Sequence, residues 1–281
     1  MEITERNEFI DKFNVPIFDN NTNFWLIRSN GGAFFDEFTE KGFVGIGWNP
    51  ITKDSLENCS DDGKGLLDTI KDEYKDLSSI KGAWKKCEHF VFDVMVGDIA
   101  IVPNKGSSKI AIVEIGQYYE ESNLNISKEI EVLQQIKEGW DGTLQIDCPY
   151  SKRRKIKVIK IIEGKGINPN LYKALISYHG ISKINDYREF ILNTIYPVYV
   201  INNKLNIVFN VEQEKPISAI SFSSFIYNFT QIMSNVVDPD AISTKSNVNS
   251  PGDLILSIIQ NGDSIIDSNF PHHFEIEILE K

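Results

Sequence analysis

Short apolar runs alternate with helix-like spacing along the first half of the chain. Residues 24–28 are nearly all apolar and precede Gly31-Gly32, which predicts a buried strand followed by a turn. Residues 43–48 form a second run with two glycines, and a strand glycine removes a side chain where a ligand or another backbone comes close. The spacing of the remaining apolar residues predicts helices over 3–13, 34–41, 64–75 and 82–95.

Beyond residue 96 the period changes from helical to strand-like. Gly97-Asp98 leads into the apolar residues 99–103, and a second apolar run over 110–115 follows a polar turn, so a β-hairpin is predicted. Residues 119–143 are polar and weakly periodic, which predicts an excursion from the sheet. A strand over 154–162 then closes this block.

A glycine-rich turn at 164–166 marks the predicted boundary between two units, 1–163 and 164–281. The sequence indicates an α+β fold class for the whole chain, with a small α+β domain in the second unit. The elements predicted there are helices over 168–176 and 187–192, a hairpin over 198–211 and an apolar strand at 254–256.

The stretch from Pro216 to Val237 carries no charge and has to be weighed as a membrane span. It contains too many serine, asparagine, threonine and glutamine side chains to leave in hydrocarbon. Its large apolar residues instead recur at helical spacing, which predicts a helix over 222–236 with one buried face. That face would consist of Phe222, Phe225, Phe229, Ile232, Met233 and Val236.

Charge and cysteine content narrow the class of protein. The formal net charge is -11, so the chain lacks the overall basic character of a protein that grips a long duplex through its phosphates. Cys59, Cys87 and Cys148 are odd in number and widely spaced, which argues against a disulfide scaffold or a zinc site. The polar, acidic start of the sequence does not resemble a signal peptide. We therefore expect a cytoplasmic protein without a metal or other cofactor.

Five motifs follow one another in order between residues 22 and 163. They are Trp25-Leu26-Ile27-Arg28 with Gly31-Gly32, Val44-Gly45-Ile46-Gly47-Trp48, Gly97-Asp98 with Val102-Pro103, the set Glu114, Gly116 and Tyr118, and Arg153-Arg154. Together they resemble the N-terminal reader domains of Mrr-type restriction endonucleases. The segment 119–150 is longer than the family pattern, and the nuclease domain that the family carries is not evident.

The resemblance implies a PUA-like/EVE-type β-barrel with packed helices that binds modified bases in nucleic acid. The hypothesis that follows is non-catalytic recognition of a modified or flipped base, in DNA rather than RNA. Such a domain would act as the specificity or sensor component of a restriction or antiphage defence system. The expected partners are nucleic acid or a nucleotide-like ligand and an effector protein or second copy of the chain, with no membrane.

A base pocket needs flat rings for stacking and a few fixed polar groups for the base edge. Each candidate also has a structural explanation: core packing for the aromatic residues, a salt bridge or strand edge for the basic ones, and turn chemistry for Asp98. The candidates for the base are Arg28, Trp48, Asn49, Trp84, Asp98 and Tyr118. The candidates for phosphate contact are Arg153, Arg154 and Lys155.

Motifs of catalysis are mostly missing from the sequence. The four histidines have no metal-ligand spacing, and no nucleophile elbow, phosphate loop or dinucleotide fingerprint occurs. Asp240 followed by Glu275 and Glu277 has the order of a magnesium nuclease core but lacks its lysine. A divergent nuclease and a protein-interaction scaffold therefore stand as the alternative hypotheses.

Overall fold

The chain divides into two compact units: residues 21–195, here called the larger unit, and residues 1–20 with 196–281, here called the smaller unit. The helix predicted over 3–13 lies outside the described residues. The structure, a computed structural model, describes residues 14–59, 64–75, 80, 82–141, 146–164, 167–177, 179–202, 204–211, 218–234, 242–246 and 252–259.

The described elements confirm that the chain is a mixed α+β protein. In chain order the strands are β1 Ile17–Phe18, β2 Phe24–Ile27, β3 Phe43–Ile46, β4 Ile99–Pro103, β5 Lys109–Glu120, β6 Lys152–Glu163, β7 Ile181–Lys183, β8 Val198–Ile201, β9 Lys204–Val211, β10 Ile242–Ser246 and β11 Gly252–Ile259. The helices are α1 Phe35–Lys41, α2 Lys53–Glu57, α3 Lys64–Ile70, α4 Ala83–Glu88, α5 Ile126–Gly139, α6 Pro169–Leu175, α7 Arg188–Ile195 and α8 Ala219–Met233. A π-helical turn, His89–Asp93, continues α4.

The larger unit is built on a curled, half-barrel sheet of six described strands in the order β3-β6-β5-β4-β2-β7. Neighbouring strands are antiparallel except β2 and β4, which run parallel. The long pair β5–β6 carries register shifts after Ile112 and after Ile115. Such irregularities bend a strand and increase its twist, which explains why this sheet curls.

The boundary that the sequence predicted at residue 164 falls inside the larger unit. Without β7, strand β2 would be an edge strand paired with β4 alone. Strand β7, from beyond that boundary, covers the other side of β2, with Trp25 opposite Lys183. The side chain of Asn185 also accepts a hydrogen bond from Phe24 N at 2.8 Å. These contacts tie residues 164–195 to the sheet, and the chain divides at residue 195 instead.

Two clusters of buried apolar side chains belong to the core of the described part of the larger unit, beside further buried residues such as Leu26 and Ile112. The first lies against the curled sheet and α1 and includes Trp25, Phe38 and Val113. The second lies under α3 and α4 and includes Tyr74 and Trp84. Helix α5 supplies side chains to both clusters.

The segment 119–143, predicted as an excursion from the sheet, contains helix α5, and its last two residues lie outside the described part of the chain. Asn125 caps α5 by accepting a hydrogen bond from Lys128 N at 3.0 Å. Val132 is buried in the first cluster and Leu133 in the second. Ile136 also packs on the first cluster, and Ile126 and Ile130 pack on the second, so α5 contacts both clusters.

The smaller unit has a sheet of five described strands in the order β1-β8-β9-β11-β10. Strands β8 and β9 form the predicted hairpin, and β1 joins the sheet parallel to β8. The ring of Phe209 on β9 contacts Phe225 and Phe229 of α8 at centroid distances of 5.2 and 5.5 Å. The predicted buried face is therefore partly present: Met233 is buried, Phe225 and Ile232 are exposed, and Val236 lies outside the described residues. Among the described residues, no helix combines the length and the apolar character that crossing a bilayer requires.

Candidate ligand-binding site

Trp48, directly after β3, has an unusual backbone conformation. Its φ is +57°, in the left-handed region that bulky side chains seldom occupy. A residue held there costs about 1–3 kcal/mol and persists only where surrounding contacts enforce it, as at many binding sites. Gly47 precedes it, and a Cβ at that position would lie 2.6 Å from Glu129 Oε1.

The ring of Trp48 is half-buried, and its indole N–H stands out from the other polar groups of the core. Its Nε1 is buried and has no hydrogen-bond partner among the described residues, although buried polar groups are nearly always paired. The ammonium group of Lys86 lies 5.2 Å from the ring centroid. Within the described part of the chain, that half-buried ammonium has neither a hydrogen bond nor an ion pair.

Tyr118 on β5 is the second predicted aromatic residue of the candidate site. Trp48 and Tyr118 are both half-buried, and each contacts both hydrophobic clusters. The Tyr118 hydroxyl donates a 2.6 Å hydrogen bond to Glu120, which also accepts from Lys53 N at the start of α2. Burial first, and then the contact with Glu120, raise the pKa of Tyr118 far above its ordinary value, so the phenol is neutral. The two predicted aromatic residues thus pack against the same two clusters.

The polar groups beside Trp48 are buried and bound to one another. Glu129 of α5 accepts hydrogen bonds from Trp48 N at 2.7 Å, Asn49 N at 2.8 Å and the Tyr74 hydroxyl at 2.6 Å. Lys152, at the start of β6, donates from Nζ to the Trp48 carbonyl at 2.7 Å. Glu129 and Lys152 are both fully buried.

Burial raises the pKa of Glu129, although Tyr74, the two backbone amides and the charge of Lys152 act in the opposite direction. The folded protein therefore binds this proton more tightly than the unfolded chain does. We expect the contribution of Glu129 to the free energy of unfolding to fall as pH rises, from the ordinary glutamate pKa of about 4.3 up to the raised value.

Urea denaturation across this pH range, in wild-type protein and Glu129→Gln, measures that contribution as a difference. The difference should decrease with rising pH, and Glu131→Gln, at an exposed position of the same helix, is the control variant. A difference that rises with pH for Glu129→Gln would contradict the direction of the shift.

Several predicted base contacts are occupied by the protein itself. The Asn49 amide donates to Pro149 O at 2.8 Å and accepts from Ser151 N at 2.9 Å, which joins the end of β3 to the start of β6. Asp98 is buried and accepts from Trp25 Nε1 and from two backbone amides. Arg28 donates to the carbonyls of Leu175 and Ser177 at the end of α6. Their roles in ligand binding remain predictions.

Trp84 belongs to the second hydrophobic cluster and is only 7% exposed. Its Nε1 donates to Cys59 Sγ at 3.2 Å, and the Lys85 ammonium lies 4.0 Å from its ring. It therefore lies in the same cluster that Trp48 and Tyr118 contact, with its own donor in use.

The predicted phosphate contacts differ from one another in exposure. Arg153 donates to the carbonyls of Cys148 and Tyr150, and its guanidinium lies 4.0 Å from the ring of Phe43. Arg154 is buried, and burial lowers the pKa of its guanidinium. Lys155 is exposed on the sheet. A phosphate role for these three residues also remains a prediction.

Sequence analysis did not identify the charged residues around Trp48. Lys86 follows Trp84-Lys85, and basic residues beside an aromatic one could have indicated it. Lys152 begins the basic run of residues 152–155, whereas Glu129 had no comparable local signal. The nuclease candidates Asp240, Glu275 and Glu277 lie outside the described residues.

Comparisons of the chain with protein-family models, with curated proteins and with solved structures found no match.

Proposed function

We propose that the larger unit binds a nucleobase without catalysis, with Trp48 as the stacking surface. The ligand is a modified or flipped base in nucleic acid, DNA rather than RNA, or a nucleotide that carries such a base. The observation that carries this proposal is Trp48 itself, which combines left-handed backbone with a buried indole N–H that has no hydrogen-bond partner among the described residues.

Three groups around Trp48 match the parts of a nucleotide. The half-buried indole ring offers a face for stacking, which is worth about 1–3 kcal/mol per base. The unpaired Nε1–H is a donor for a base carbonyl or ring nitrogen once the side chain adjusts to the ligand. The Lys86 ammonium, which has no anionic partner among the described residues, suits a phosphate oxygen.

Tyr118 gives the site a second aromatic ring with a fixed polar tip. Its neutral hydroxyl donates to Glu120, so the ring orientation is set before a ligand arrives. Taking a base out of its stack costs a few kcal/mol. Stacking on aromatic rings such as these two would offset that cost. A single local site also suits a chain of net charge -11, because it does not require a long basic surface.

A PUA-like/EVE-type identity for residues 22–163 is part of the proposal, and the curled sheet with its helices is compatible with it. A role in restriction or antiphage defence, with an effector protein or a second copy of the chain contacting the smaller unit, belongs to it as well.

Calorimetric titration tests the proposal with nucleoside monophosphates, the matching nucleosides, and oligonucleotides with and without modified bases. Trp48→Ala should weaken binding roughly 5- to 100-fold, as expected for the loss of a stacking contact. Lys86→Gln should weaken binding of the monophosphate about tenfold, with little effect on the nucleoside, because only the phosphate needs its charge.

Trp140→Ala is the matched control. Trp140 is also half-buried and has a lysine, Lys105, 4.9 Å from its ring, but its backbone is extended. The Trp140→Ala variant should bind these ligands with the affinity of the wild-type protein. Failure of all of these ligands to bind wild-type protein would overturn the proposal. The scaffold hypothesis would gain support if Trp48→Ala and Tyr118→Ala then lowered stability alone.

A further inference from the structure

Two buried charges of opposite sign hold the two polar groups of residue 48. Its N–H donates to the Glu129 carboxylate at 2.7 Å, and its carbonyl accepts from the Lys152 ammonium at 2.7 Å. Hydrogen bonds to charged groups are about twice as strong as neutral ones. We infer that Glu129 and Lys152 form a clamp that fixes the left-handed backbone of Trp48 and thereby positions its indole for ligand.

The carboxylate of Glu129 contacts the loop at more than one point. Its second oxygen accepts from Asn49 N at 2.8 Å, so consecutive amides point at one side chain. Successive amides can converge in this way on one anion when a left-handed residue lies between them. The backbone geometry at Trp48 and the position of the carboxylate therefore depend on each other.

Neighbouring contacts hold the carboxylate in place. The Tyr74 hydroxyl donates to Glu129 Oε2 at 2.6 Å, and Tyr74 is fully buried. Gly47 leaves the space that the carboxylate fills, since a Cβ there would be 2.6 Å from Glu129 Oε1. Glu129 lies in the first turn of α5, where the helix dipole favours a negative charge. Helix α5 is thus the element that sets the conformation of the candidate site.

The ligand part of this inference rests on the proposed function, whereas the clamp can be tested without any ligand. Glu129→Gln replaces one acceptor oxygen with an NH2 group that faces a backbone donor. In ¹⁵N-labelled protein free of ligand, the Trp48 and Asn49 amide signals and the Trp48 indole signal should move. The indole signal of Trp25, which is bound to Asp98, should stay in place.

Glu37→Gln is the matched control, because Glu37 is also buried and accepts a backbone N–H, that of Cys148. It should leave the Trp48 signals and ligand affinity unchanged. Glu129→Gln should bind nucleotide about tenfold or more weakly than the wild-type protein does, since a charge-assisted hydrogen bond that orients the ring is lost. Lys152→Met, which removes the other half of the clamp, should act in the same direction and provides a second variant if Glu129→Gln does not fold.

The outcomes separate the two proposals. If the Trp48 signals move in the variants but the wild-type protein binds no nucleotide, the clamp is supported and the proposed function is overturned. Unmoved Trp48 signals in the variants that fold would overturn the clamp. Moved signals with unchanged affinity would overturn the positioning role, and failure of both variants to fold would mean that the pair serves the fold rather than Trp48.

Discussion

Replacing Asp98 with alanine should lower the free energy of unfolding by about 3–5 kcal/mol. The buried carboxylate accepts from Trp25 Nε1 at 2.8 Å and from the backbone amides of Asn23 and Met95 at 2.9 Å each. Hydrogen bonds to a charged group contribute about 1.5–3 kcal/mol each, and donors left unpaired in the core add their own cost. Urea denaturation followed by circular dichroism measures the loss.

Asp93→Ala is the control for this experiment. Asp93 is half-exposed, and its ion pair within the described part of the chain is with His89, so its removal should cost less than about 1 kcal/mol. Asp98→Asn should give an intermediate loss, because the amide keeps one acceptor and turns a donor toward another donor. A loss below about 1 kcal/mol for Asp98→Ala would contradict the role of this side chain in joining the sheet to the turn before it.

Arg154→Met should lower the free energy of unfolding by about 2–3 kcal/mol. The buried guanidinium donates to Phe90 O and Val91 O at 2.9 Å each and therefore holds two carbonyls of the π-helical turn. Methionine replaces most of the apolar stem but leaves both carbonyls without this donor. Chemical denaturation measures the total loss, and amide hydrogen exchange at residues 89–93 should rise because the turn loses its support.

Lys155→Met tests the exposed neighbour of Arg154 and should change stability by no more than about 0.5 kcal/mol. The pair of variants also tests the prediction that this strip contacts phosphate. If Arg154→Met left stability unchanged and weakened oligonucleotide binding, the guanidinium would be a ligand contact instead of a structural donor.

Local periodicity was enough to predict most strands and helices of the larger unit. The runs at β2, β3 and β4 are short, apolar and bounded by glycine or proline, and they form strands where expected. It could not predict that β7 covers the edge of β2, because the two strands are far apart in the sequence and neither carries a pairing signal. The boundary therefore fell at the nearest glycine-rich turn.

The candidate site was predictable only in its aromatic residues. Trp48 follows a glycine-containing strand and Tyr118 lies near the end of a hairpin strand. In the structure both residues pack against the same two hydrophobic clusters. Their polar neighbours depend on contacts between distant segments, such as Glu129 with the amide of Trp48. Asn49 and Asp98 were chosen as free polar groups, but strand ends left backbone groups that these side chains now satisfy.

The parallel pairing of β1 with β8 has a consequence for the order in which the chain folds. Ile17 lies opposite Val200, so this pair cannot form until the ribosome has released residues of β8. The larger unit, residues 21–195, lies entirely between these two strands in the sequence and contains a sheet and core of its own. Closing so long a loop carries an entropic cost and slows formation of non-local strand pairs. The smaller unit is therefore the last part of the chain to fold after synthesis.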